Sequence, residues 1–407
     1  MGICFSYRYE GERDWRWRKT GHGTRIHKKS GAKFVGNWRK GKRHGFGTSY
    51  YGNDENNAIQ YRGIYRRGKC HGPGFWQSKI IENGERDRYT GTFDNDNKHG
   101  KGKYVYHDGI VYDGSYKNDK YEGQGSITWP PLGIESKSTF SFAYTSFKGS
   151  FINGLKSGDG IFFSTDGYKF KGTYLDDKFE GHGTLIFPDN SKYHGGFYEG
   201  KFSGVGKYWY SNGDYYYGNF LEGKLNGDGE MQYADGIHYI GGWKDDLPHT
   251  IADETAEQKW PNGDKYVGQF KAGFMEGRGT YSWADGRMYI GDFSKSQRSG
   301  EGRCVFETWE YSGMWKNDQF HGHGKKTFEN GDTYEGDFKN NKMHGKGTYT
   351  SKLGKWKYIG DFQGDARYGT GETIWDDGDK CRGLYLLDKF KEGRFKWNKD
   401  GPKNHFS

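Results

Sequence analysis

Along most of this chain, apolar and aromatic residues fall two positions apart rather than three or four. Tyr334, Gly336 and Phe338 alternate with Glu335, Asp337 and Lys339, so the first set shares one face and the second set the other, which is the spacing of a strand. After a short polar turn, Gly345, Gly347 and Tyr349 alternate in the same manner. Two such strands and a turn predict a hairpin. The same arrangement begins 23 residues earlier at Tyr311. Between copies stand Asn212-Gly213, Asp235-Gly236, Asn262-Gly263, Asp285-Gly286, Asn330-Gly331 and Asp377-Gly378, dipeptides that accept the positive φ angles of a tight hairpin turn. Hairpin is predicted to follow hairpin along one sheet.

Copies begin at Tyr9, Phe34, Tyr61, Tyr89 and Tyr112, then at Phe147, Phe170, Tyr193, Tyr216 and Tyr239, then at Tyr266, Tyr289, Tyr311, Tyr334 and Tyr358, with an altered last copy from Cys381 to near Trp397. The predicted layout is an N-terminal segment 1–8, a first group 9–129, an insertion 130–146, a central group 147–247, a degenerate stretch 248–265, a last group with its cap 266–401, and a tail 402–407. Trp129-Pro130-Pro131 opens the insertion, and two prolines cannot donate to a ladder, so a loop is expected there. After Trp243, Leu247-Pro248-His249 replaces the regular pattern, and Ile251 to Lys259 reads as an acidic, helical detour.

A fixed period overrides the two or three domains that 407 residues would suggest. The mean hydropathy of −1.10 would fit disorder. Against that, 18% of residues are aromatic and the 69 glycines keep strict phase with them, so the chain reads as folded, with glycine leaving shallow seats for neighbouring rings. Cys4, Cys70, Cys304 and Cys381 are far apart and at unrelated places in the repeat, which gives no disulfide or metal spacing and makes a reducing compartment the default. No run of about eighteen apolar residues and no apolar signal region is present, so neither a membrane span nor secretory entry is expected.

Met1-Gly2-Ile3-Cys4-Phe5-Ser6 fits the pattern for N-myristoylation at Gly2, with Cys4 where a palmitoyl chain is often added. Two lipid signals hold a protein on a membrane where one does so marginally. Charge points the same way: residues 1–88 hold 20 Lys and Arg against 8 Asp and Glu, and the rest of the chain 42 against 45. Arg13, Arg16, Arg18, Lys19, Lys28, Lys29, Arg39, Lys40, Lys42 and Arg43, with Arg25 and Lys33, are interleaved with Trp15, Trp17 and Trp38. Anionic leaflets attract basic residues, and tryptophan favours the interface. The slightly acidic remainder would not track a phosphate backbone, so nucleic acid is not an expected partner.

Tyr334-Glu-Gly-Asp-Phe-Lys-Asn-Asn-Lys-Met-His-Gly-Lys-Gly resembles the MORN repeat, as do Tyr112-Asp-Gly-Ser-Tyr-Lys-Asn and Phe34-Val-Gly-Asn-Trp-Arg-Lys-Gly-Lys-Arg-His-Gly-Phe-Gly. The resemblance, over about fifteen copies, implies an all-β fold: an elongated, twisted, single-layer antiparallel sheet of stacked hairpin repeats. Two strands per copy at about 4.8 Å would make fifteen copies on the order of 150 Å long before curvature. It further implies a scaffold that joins membranes to cytoskeletal or signalling proteins.

Catalysis is not expected. His22, His44, His71, His99, His321 and His344 each precede a glycine taken to mark the inter-strand turn, and Asp292, Asp337 and Asp361 each follow the strand glycine; both are parts of the repeat. Gly-x-Gly recurs inside hairpins and never between a strand and a helix, as dinucleotide binding requires. No catalytic residue, cofactor or metal is therefore expected. The reading is a non-enzymatic scaffold tethered to the cytoplasmic face of a membrane through Gly2, Cys4 and the basic first copies, binding partners through its aromatic face. Open strand edges also suit pairing with a second copy. The other reading is a structural part of a cilium or flagellum without the lipid anchor.

Overall fold

The computed structural model describes residues 6–52, 54, 58–81, 84–130, 144–251 and 253–398. Gly2, Cys4 and most of the 130–146 insertion lie outside them. The chain divides into two compact units, 1–211 and 212–407. Each is an antiparallel sheet in which successive strands pair in chain order, with no second layer packed on it among the described residues.

One copy shows how the sequence makes the fold. Strands Thr333–Lys339 and Lys342–Ser351 pair Tyr334 with Tyr349, Gly336 with Gly347, Phe338 with Met343 and Lys339 with Lys342. Between the last two glycine-to-aromatic rungs the second strand carries two more residues than the first, a bulge centred on His344, Gly345 and Lys346. Gly345 has φ +63°, a conformation L side chains resist. Pairing with the following copy, Gly345 to Phe362 and Gly347 to Gly360, runs without a shift. The recurring His-Gly is thus a bulge inside the second strand, not the turn that the sequence reading assigned it to.

The turns also divide differently from expectation. The two-residue turns with both central residues at positive φ lie inside the copies, as at Asn340 (φ 52°) and Asn341 (φ 65°), where this geometry matches the strand twist. Between copies stands a longer turn: the Phe328 N–H donates to the Asp332 carbonyl at 2.9 Å and the Gly331 N–H to the Phe328 carbonyl at 2.8 Å. There only Gly331, at φ +82°, is left-handed.

The glycine rungs seat the tyrosines. A Cβ on Gly347 would lie 2.4 Å from the Tyr334 ring, and one on Gly336 2.5 Å from the Gly347 Cα. The Tyr334 hydroxyl donates to the Asp337 carbonyl at 2.9 Å. Its ring meets Phe338 edge-on at 5.0 Å and Phe362 of the next copy at 4.9 Å. Tyr311 does the same with Trp315 and Phe338, and in the first unit Tyr89 with Phe93 and Tyr116. Edge-to-face pairs of this kind add about 0.5–1.5 kcal/mol each beyond area burial, so the ladder ties each copy to the next. Tyr334 is 0% and Phe338 3% exposed. These rings are spent on one another.

The degenerate stretch completes its copy. His238–Lys244 pairs with Leu247–Pro248 and, after an enlarged bulge, with Ala256–Lys259. Ala256 stands where other copies have glycine, beside Gly241. The helical detour expected from Ile251 to Lys259 is therefore a strand from Ala256 onward. The last strand among the described residues, Lys389–Lys396, exposes Lys389, Lys391, Arg394 and Lys396, charges that discourage pairing with another strand.

Candidate functional site

Because the copies fold alike, the turn inside each falls on one edge of the sheet and its link on the other; that turn is two residues long except in the first copy, where it spans 14–18. Backbone hydrogen bonds join neighbouring turns: the Gly41 N–H donates to the Lys19 carbonyl at 2.9 Å and the Gly68 N–H to the Arg43 carbonyl at 2.8 Å. Residues at the same phase of successive copies therefore stand beside each other, about 10 Å apart.

This phase gathers basic residues. Arg13, Arg16, Arg18 and Lys19 flank the first turn, and Arg39, Lys40, Lys42 and Arg43 the second. Arg66, Arg67 and Lys69 flank the third; sequence reasoning missed them, although Arg66-Arg67-Gly68-Lys69 repeats the phase of Arg39-Lys40-Gly41-Lys42. From the fourth turn on, Asp94 and Asp96, then Asp119, bring in carboxylates. Lys28 and Lys29 are exposed but sit in the link that follows strand Lys19–His27, on the opposite edge, so the structure does not bring them to this rim.

The rim residues are not equivalent. Arg13, Arg16, Arg39, Lys40, Lys42, Arg66, Arg67 and Lys69 are exposed. Arg43 is turned inward, donating to Ser49 Oγ at 3.1 Å and the Gly68 carbonyl at 2.7 Å, with its guanidinium 4.7 Å from the Tyr65 ring. The Lys19 ammonium lies 4.7 Å from both the Tyr7 and Trp38 rings. Burial first, then the nearby Arg25 and Arg13, pushes its pKa down.

The first turn is shaped by Asp14. Its carboxylate accepts the Arg16 and Arg18 N–H groups, each at 2.9 Å, and Arg18 Nε at 2.8 Å. Burial would raise the Asp14 pKa, but the Arg18 guanidinium and these N–H donors outweigh it and hold it low. The turn so fixed presents Trp15 and Trp17, each 78% exposed, with the Arg16 guanidinium 4.2 Å over the Trp15 ring. Trp38 is different: it is 5% exposed and donates Nε1–H to the Gly23 carbonyl at 3.0 Å. Of the three tryptophans, two belong to the surface and one to the core.

The phased acids have structural partners, and of the phased histidines His71 meets Asp94 at 3.1 Å through Nδ1. The Asp292 carboxylate accepts the Glu301 N–H in its bulge at 3.2 Å, and Asp361 that of Thr370 at 3.3 Å. Among the described residues no group of three or more His, Cys, Asp or Glu side chains is placed to hold a metal, and no helix is long and apolar enough to cross a membrane. Cys70, Cys304 and Cys381 are buried thiols in the ladder.

The sequence pattern of the MORN repeat matches fourteen segments: residues 34–55, 61–79, 89–111, 112–132, 147–167, 170–192, 193–215, 216–237, 239–249, 266–286, 289–310, 311–333, 334–352 and 358–380. The chain belongs to the MORN repeat family. The hairpins at Tyr9 and Cys381 extend this MORN array beyond the matched segments. Over 80 residues, a fifth of its length, the chain is 36% identical to phosphatidylinositol 4-phosphate 5-kinase 1 of Oryza sativa subsp. japonica, and spans 9% of that relative. Solved structures give looser likenesses. The TCP10 domain of Danio rerio CPAP in complex with a STIL peptide aligns at 13% identity and TM-score 0.24, covering 55% of this chain and 96% of that one. The CPAP G-box domain aligns at 12% and 0.26, covering 51% and 100%.

Proposed function

We propose that this MORN array is a non-enzymatic scaffold that docks on the anionic cytoplasmic face of a membrane through the turn edge of its first three hairpins. The observation that carries this reading is the meeting of eight exposed Lys and Arg side chains with the exposed pair Trp15 and Trp17 on that edge. Each basic residue near an anionic leaflet contributes about 1 kcal/mol, and tryptophan settles at headgroup depth. The likeness to a relative named for phosphatidylinositol 4-phosphate supports a membrane setting. That match spans too little of the relative to bring its activity with it.

In this reading acyl chains on Gly2 and Cys4 add the permanent anchor, and the remaining copies hold cytoskeletal or signalling proteins beside the membrane. Sedimentation from eukaryotic cells tests the anchor. Wild type is expected in the detergent-sensitive membrane pellet and Gly2→Ala and Cys4→Ala in the supernatant. Equal distribution of all three removes the lipid half of the proposal and leaves the rim.

A further inference from the structure

Within the second unit, one aromatic side chain per copy stands on the ring-bearing face at the link edge, two residues beyond the rung opposite each tyrosine. The row is Tyr233, Trp260, Trp283, Phe306 and Phe328, and it resumes at Trp375. At the intervening position, Ser351, the ring is missing, and Trp356 of the next copy stacks on Tyr349 at 5.7 Å instead. Unlike the closed ladder, these side chains are half-buried. Between Trp309 and Phe328 the surface opens into a cavity of ≈ 650 Å³, lined also by Phe320, Tyr349 and Glu329 and by two cations, Arg298, held by Asp318 at 2.9 Å, and Lys326, 4.7 Å over the Phe328 ring. That volume lies within the range of built binding sites, about 300–1,000 Å³.

Two features of the row select an occupant. Its step is one hairpin, about 9.6 Å, and a polyproline II helix repeats every three residues, about 9.3 Å; a ligand in that form presents the same group to each successive ring. The link turns that border the row expose Asp235, Glu307, Glu329 and Asp376; Arg287 there is held by Asp285 at 2.8 Å, and the exposed Lys352 and Lys355 stand at the gap where Ser351 replaces the ring. We infer that the link edge of the second unit binds a proline-rich segment in the polyproline II form, its prolines on the aromatic row and its arginines or lysines on the bordering carboxylates. An extended strand repeats every two residues and would fall out of step with the rings within two copies.

Fluorescence anisotropy of the full chain with a labelled peptide of four Arg-Pro-Pro triplets tests this. Two second-unit variants show whether the binding lies in that unit. Binding in the micromolar range is expected, at least about tenfold weaker for four Arg-Gly-Ser triplets and lost for four Glu-Pro-Pro triplets. Trp309→Ala with Phe328→Ala should weaken binding by a similar factor. Glu307→Lys with Glu329→Lys, both on exposed side chains that leave the fold intact, should do so as well. Equal binding of the Arg-Gly-Ser peptide, undiminished binding by the charge-reversed protein, or no binding of Arg-Pro-Pro at millimolar peptide would each overturn the inference.

Discussion

Arg298 and Asp318, from consecutive hairpins, hold one another at four points. Asp318 Oδ1 accepts the Arg298 N–H at 3.0 Å and Nε at 2.9 Å, the Asp318 carbonyl accepts the second guanidinium nitrogen at 3.1 Å, and the Asp318 N–H donates to the Arg298 carbonyl at 3.1 Å. Arg367 and Asp388 repeat the arrangement. Elsewhere Asp96, Asp119 and Asp246 accept a backbone N–H of the preceding copy in the same way. Where the second residue of the tight turn is an aspartate, it is therefore a staple to the copy before it. Asp318→Gly keeps the left-handed backbone and removes only the staple. With the pair partly exposed, the expected loss is about 1–2 kcal/mol of local stability, read as faster hydrogen exchange in Gln297–Val305 and Glu310–Lys316 with distant copies unchanged.

The seat under Tyr334 predicts a sharp contrast between two substitutions. Gly347→Ala drives a Cβ into a ring that has nowhere to go and should cost about 3 kcal/mol or more, opening that hairpin to limited proteolysis. Tyr334→Phe loses only the hydroxyl hydrogen shared between the Asp337 and His344 carbonyls, about 1 kcal/mol. Phe147 and Phe170 already occupy the same place in their copies over paired glycines.

Acid should loosen the link edge. The Asp332 carboxylate accepts the Lys352 N–H at 2.8 Å and the Tyr349 hydroxyl at 2.6 Å. Burial alone would raise its pKa, but these donors with Asn330 bring it below the ordinary 3.8. Asp264 and Asp87 stand in the same place in their copies and shift the same way. A carboxylate whose folded pKa is depressed contributes its full stability above the unfolded value and loses it as the pH falls through the folded one. Exchange at Lys352, Ala284 and His107 should accordingly rise as the pH drops below about 3.8, and Asp332→Asn should show the loss at Lys352 at neutral pH.

Leu387 takes φ +47° in the last turn and is exposed, a position where Asn95, Asn118, Asn153, Asp176, Asp245, Asn317 and Asn340 stand in other copies. The left-handed conformation costs such a residue about 1–2 kcal/mol. Leu387→Asn should raise the protection of Lys380–Leu386 by about 1 kcal/mol.

Much of the fold was legible because each strand advertises its own face: Tyr, Gly and Phe two apart leave no other reading. What misled was glycine, which serves as seat at Gly347, bulge at Gly345 and link at Gly331 under one letter. The positive-φ turns hid behind Asn340-Asn341, Leu387-Asp388 and Lys295-Ser296, whose conformation is imposed by pairing on both sides. For the rim, charge counting found the residues but not their arrangement. Lys28 and Lys29 are close in sequence to Lys19 yet a strand length away, whereas Arg66, Arg67 and Lys69 are distant in sequence and adjacent in the sheet. Burial of Arg43 against Tyr65 could not be read from a list of charges.

Flotation with vesicles tests the central claim, docking by the basic turn edge, most directly. Unacylated protein would be mixed with vesicles containing about 30% anionic lipid and, in parallel, with neutral vesicles, beside a variant carrying Arg16→Glu, Lys40→Glu and Arg67→Glu, all on exposed positions. Three charge reversals at about 1 kcal/mol per lost residue should weaken binding to the anionic vesicles by 10²-fold or more, and raised salt should weaken the wild type likewise. Equal flotation of the two proteins, or equal flotation of the wild type with neutral vesicles, would contradict the account.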